Sequence, residues 1–75
     1  MEAFNGGDYG EAERRFATFT REFPSDARVE DAMFLIADAR ARRGDGVGAR
    51  VAAREYLHRF PAGLRVPAAA QIAGQ

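Results

Sequence analysis

The sequence predicts an all-α fold built of antiparallel helix hairpins, and three observations carry this. From Tyr9 onward, Ala12, Phe16, Phe19 and Phe23 follow at spacings of 3, 4, 3 and 4, which places them on one stripe of an α-helix. No segment alternates apolar and polar residues at period two, so no sheet is expected. Landmarks also recur in order: "GDYGEA" at 7–12 and "FP" at 23–24 return as "GDGVGA" at 44–49 and "FP" at 60–61, an offset of 44 − 7 = 60 − 23 = 37 residues.

The elements follow in turn. Met1 to Asn5 reads as the last turn of a helix that Gly6 and Gly7 stop. The next helix carries the Tyr9–Phe23 stripe. Asp8 is its N-cap, Glu11 stands three residues on as in a capping box, and Pro24 ends it. "PSDA" is a turn in which Ser25 or Asp26 caps a second helix over 27–43. That helix should face Val29, Ala32, Met33, Ile36 and Ala37 inward and Arg28, Glu30, Arg40 and Arg43 outward. Arginines 40, 42 and 43 sit in its last turn against the negative end of the dipole, and Gly44 follows at the left-handed stop. A third helix begins after Asp45 with Val47, Val51, Tyr56, Leu57 and Phe60 as core, has Ala49, Ala52 and Ala53 as small contact residues, and ends at Pro61. Leu64 to Ala73 forms a fourth, Ala-rich helix, with Pro67 tolerable only in its first turn.

Composition narrows the function classes. Eleven basic residues, all arginine, balance eleven acidic ones, so the broad positive field that draws nucleic acid is missing. With no cysteine there is no disulfide, thiolate nucleophile or zinc–thiolate site. No stretch approaches the ~20 apolar residues of a membrane span.

At offset 37, Gly7, Asp8, Ala12, Phe23, Pro24, Arg28, Val29 and Ala32 align with Gly44, Asp45, Ala49, Phe60, Pro61, Arg65, Val66 and Ala69, while Phe19 meets Tyr56 and Leu35 meets Ile72. These are glycine stops, small contacts and helix-ending prolines, so the copied unit is structural. The pattern resembles the tetratricopeptide (TPR) repeats: in 30–61, Ala37, Gly44, Asp45, Ala49 and Pro61 stand at that family's spacing. The resemblance implies hairpins stacked as a short right-handed solenoid fragment, with a partial repeat over 1–26, a complete one over 27–63 and a half repeat over 64–75. Three features depart from the usual unit. The period is 37, Phe19 and Tyr56 replace a late alanine, and Asp38 and Arg40 stand where a small residue and an aromatic are usual. The first two are similar to the longer repeats of bacterial envelope proteins, the Tol-Pal-associated periplasmic coordinator and the outer-membrane-assembly lipoprotein. "EDAMFLIADARARRGD" is similar to C-terminal repeats of membrane-bound anti-sigma-type regulators. This points to the periplasm or cell envelope, with the cytoplasm as the alternative.

Catalytic chemistry finds little to use. His58 is the lone histidine, and near a helix C-terminus it reads as a structural partial charge. Asp31 and Asp38 lie two turns apart, ~10 Å along the axis, too far to share a proton. The glycines at 6, 7, 10, 44, 46 and 48 follow no strand and precede no lysine, so neither nucleotide fingerprint is met. The expectation is therefore a non-enzymatic protein-binding or scaffold module without cofactor or metal, its partner a protein or peptide. The alternative is a structural oligomerisation segment of a membrane-bound regulator. By the family resemblance, the concave face is lined by Asp31, Phe34, Asp38 and Arg42, with Gln71 from the following half repeat; Phe34 either anchors a partner there or packs against a neighbouring helix. The faces of Tyr9, Phe16 and Phe19 at one end and of Leu64 and Ile72 at the other are expected to lack cover, so the isolated chain should form a homo-oligomer or a helix-exchanged dimer.

Overall fold

The computed structural model describes residues 8–74; the expected helix end at Met1–Asn5 lies outside them. Four helices follow in order, α1 (Tyr9–Glu22), α2 (Val29–Arg42), α3 (Gly46–Arg59) and α4 (Val66–Ala73), with no strand among the described residues. Each packs on the next, and α2 also meets α4. Neighbours run antiparallel: Glu13 near the start of α1 pairs with Arg40 near the end of α2, and Glu30 near the start of α2 receives Tyr56 near the end of α3.

Local sequence accounts for the boundaries. Asp8 and Asp45 each accept a hydrogen bond from the backbone N–H three residues on, Glu11 at 3.2 Å and Gly48 at 2.9 Å, satisfying one of the orphan donors of a helix start. Glu11 does not close a capping box; its carboxylate binds Arg14 and Arg15 instead. The α2–α3 turn is a Schellman motif. Gly44 at φ +87° bonds back to Ala41 O, and Asp45 N–H reaches Arg40 O at 2.9 Å, so Asp45 finishes one helix and caps the next. Helix α2 begins at Val29, two residues later than expected. Neither Ser25 nor Asp26 caps it; Asp26 accepts from Arg28 N in a tight turn instead. Helix α4 begins at Val66 with Pro67 in its first turn.

The 37-residue offset reappears in the backbone. Asp26 N to Phe23 O, Val29 N to Asp26 O and Ala32 N to Arg28 O recur as Gly63 N to Phe60 O, Val66 N to Gly63 O and Ala69 N to Arg65 O. The terminal Phe23 and Phe60 share φ near −130° and bond to Phe19 O and Tyr56 O. A sequence repeat is thus a repeat of hydrogen bonding.

The core is built largely of small residues. Ala37, Ala49, Ala52 and Ala53 let α2 and α3 approach closely, while Tyr56 and Phe34 fill the space towards α4, where Ala69 and Ile72 close it. Several expectations need correcting. Val47 and Val51 are exposed, because alanine positions, not valines, face α2. Phe34 and Ala39 are buried whereas Met33 and Ile36 are only partly so. Glu30 and Arg40 do not point outward but are half-buried in polar contacts between helices. Ile72 is covered, while Leu64 is almost fully exposed.

Candidate functional site

The expected binding stripe is divided by the fold. Phe34 is buried, its ring edge-on to Tyr56 at 6.2 Å between centroids with the Arg65 guanidinium 5.5 Å above it. Asp31 is exposed and pairs with Arg65 at 3.2 Å. Asp38 takes Arg42 at 2.8 Å one turn along the helix, and this carboxylate holds the Arg42 guanidinium above its ordinary pKa. Gln71 is exposed on α4. Asp31, Asp38, Arg42 and Gln71 thus lie at or near the surface, and Phe34 is the packed floor beside them.

A polar junction that the stripe did not include joins α2, α3 and the loop before α4. The Tyr56 hydroxyl donates to Glu30 at 2.7 Å and accepts from Arg65 N at 2.9 Å, and Glu30 also accepts from Leu64 N at 2.9 Å. Burial first, then the Glu30 carboxylate accepting its proton, raises the Tyr56 pKa, against the opposing pull of the Arg65 N–H. This junction requires Gly63, where a Cβ would stand 2.3 Å from Glu30 Oε2 and 2.5 Å from the Tyr56 hydroxyl. In the first copy the same offset places Asp26 at the glycine and Phe19 at the tyrosine, and it is the Asp26 carboxylate that accepts from Arg28 N, at 2.8 Å. A tyrosine hydroxyl and an aspartate carboxylate do one job, each requiring the other's absence. The joint change of Phe19 to Tyr56 and Asp26 to Gly63 was visible in the aligned repeats as a signal.

Arg40 forms a second pin. It donates to Glu13 at 2.8 Å and to Gly48 O at 3.1 Å, bridging α1, α2 and α3, and Glu13 also takes Arg43 at 2.8 Å. Burial raises the Glu13 pKa, but the two guanidinium hydrogen bonds outweigh it and hold the carboxyl below its usual range. Among the described residues no three acidic or histidine side chains gather as metal ligands. His58 is exposed in the last turn of α3.

A groove of about 400 Å³ lies between α1 and α2, lined by Phe16, Phe19, Arg28, Asp31, Ala32 and Leu35. The Arg28 guanidinium lies 5.1 Å over the Phe19 ring and binds both Asp26 oxygens, at 3.0 Å each. At offset 37, Phe19, Ala32 and Leu35 become Tyr56, Ala69 and Ile72, which are buried under α2. Set against known protein families, characterised proteins and solved structures, the chain finds no match. No described helix is long and apolar enough to cross a membrane.

Proposed function

We propose that this chain is a non-catalytic protein–protein interaction or scaffold module, a short TPR-like right-handed solenoid fragment of a bacterial envelope-associated or regulatory protein. The observation that carries this reading is a duplicated helix-docking face. One copy, Tyr56, Ala69 and Ile72, is filled by α2, and the other, Phe19, Ala32 and Leu35, lines a groove that no described helix covers. A solenoid works by surface complementarity and makes no bonds in its ligand. The backbone recurrence at 37 residues supports stacked hairpins, and the exposed Asp31, Arg42 and Gln71 with the half-buried Asp38 offer polar groups for a partner's surface. The periplasm or cell envelope is the proposed location.

The test compares partners retained by the wild-type chain, by Leu35→Arg and by Asp38→Ala/Gln71→Ala, with circular dichroism as the folding control. A partner lost with either folded variant supports the module and names the face used. Sedimentation showing a discrete homo-oligomer, with no partner on either face, replaces this reading with that of a structural oligomerisation segment.

A further inference from the structure

The two copies of the docking face differ at two positions at once, Phe19 against Tyr56 and Asp26 against Gly63. On the second face α2 brings Glu30 to the Tyr56 hydroxyl at 2.7 Å and to Leu64 N at 2.9 Å, while the hydroxyl accepts from Arg65 N at 2.9 Å. Gly63 leaves room for this, since a Cβ there would stand 2.3 Å from Glu30 Oε2 and 2.5 Å from the hydroxyl. On the first face the same backbone turn carries a side chain. Asp26 N bonds to Phe23 O and Val29 N to Asp26 O, as Gly63 N bonds to Phe60 O and Val66 N to Gly63 O, so the Asp26 Cβ stands where the glycine leaves space. The Asp26 carboxylate holds Arg28 N at 2.8 Å, the bond that the Tyr56 hydroxyl makes to Arg65 N.

We propose that Phe19 and Asp26 together form a register lock: they penalise α2, from this chain or from a second copy, on the first face, and so direct it to the Tyr56 face. Set on the first face in the pose it holds over α3, α2 would bring Glu30 against the Asp26 Cβ, place two carboxylates side by side and find no phenol to donate to Glu30. Neither residue can be exchanged alone. The Phe19 and Phe23 rings repeat the tilted pairing of Tyr56 and Phe60, 5.3 and 5.5 Å between centroids, so a hydroxyl added to residue 19 would meet the Asp26 Cβ. Loss of the Asp26 carboxylate without that hydroxyl would leave Arg28 N without its acceptor. A chain that repeats one apolar face every 37 residues needs such a distinction, because Ala32 and Leu35 match Ala69 and Ile72 and apolar contact alone would let a helix settle on either face. The lock acts on Glu30, whatever else covers the first face.

The probe is a fluorescein-labelled peptide of residues 27–43, made with Glu30 and with Glu30→Ala. It is titrated by anisotropy against the wild-type chain, Phe19→Tyr/Asp26→Gly and Leu35→Arg, with circular dichroism confirming each fold. The wild type is expected to bind the Glu peptide weakly and the Ala peptide at least about tenfold more tightly, and the double variant to reverse that order. Leu35→Arg should abolish binding, which places the peptide on the first face. If the double variant does not fold, the comparison on the wild-type chain decides alone. A wild type that binds the Glu peptide as tightly as the Ala peptide overturns the lock, and so does the same order on both chains. Binding of neither peptide removes the first face as a place α2 could settle, and binding that survives Leu35→Arg means exchange at the Tyr56 face; each overturns the proposal.

Discussion

Gly63→Ala tests the polar junction most sharply. The added methyl would stand 2.3 Å from Glu30 Oε2 and 2.5 Å from the Tyr56 hydroxyl, so the pair must separate. Glu30 then gives up one or both of the bonds it accepts from Tyr56 and Leu64 N. Hydrogen bonds to a charged group contribute about 1.5–3 kcal/mol each, and Glu30 is long enough to re-aim and keep part of one, so the expected loss is ~2–4 kcal/mol. For a domain of this size that lowers Tm by roughly 8–30 °C. The assay is thermal and urea unfolding followed by circular dichroism, repeated in a Glu30→Ala/Tyr56→Phe background. There both obstructing atoms are gone, and Gly63→Ala should cost less than ~0.5 kcal/mol as the coupling vanishes. An equal cost in both backgrounds would refute the steric reasoning, as would a wild-type chain that tolerates the methyl.

Gly44→Val should cost at least about 1–2 kcal/mol, because a β-branched residue is penalised at φ +87° and the Schellman turn depends on that conformation; an unchanged melt would contradict it. Ala49, buried where α3 packs against α2, has no room for three more carbons, so Ala49→Leu should lower stability by about 1–3 kcal/mol in urea titration. Arg28 holds the Asp26 pKa at about 2, down from an ordinary 3.8, and Glu13 is likewise depressed. A carboxyl depressed in the folded state stabilises above its unfolded pKa and loses that contribution as pH falls through the folded value. Stability should therefore drop as the pH is lowered from 3.8 towards about 2, and Asp26→Asn should flatten the part due to Asp26 in melts across that window.

The helices were legible because their ends are written in local chemistry: Asp8 and Asp45 as caps, Gly44 as the left-handed stop, Pro24 and Pro61 as breakers. Which face turned inward was less so. Val47 and Val51 are more hydrophobic than their alanine neighbours, yet close antiparallel packing selects for small size, and the valines were left exposed. Glu30 and Arg40 look like surface charges one residue at a time; their partners Tyr56 and Glu13 lie 26 and 27 positions away, beyond any periodicity argument. Phe34 was half legible: the stripe placed it beside Asp31 and Asp38, but only the Tyr56 ring across α3 decides that it packs inward.

The central claim is that the chain holds two copies of one helix-docking face, one filled by its own α2 and one that no described helix covers. The most direct test is nuclear magnetic resonance of the isotope-labelled chain titrated with a peptide of residues 27–43, the segment that holds α2. Shifts confined to Phe19, Arg28, Ala32 and Leu35, with Tyr56, Ala69 and Ile72 unmoved, are predicted. Shifts centred on Tyr56 and Ile72 would contradict the account, because they would mean that the only face able to receive a helix is the one α2 already occupies.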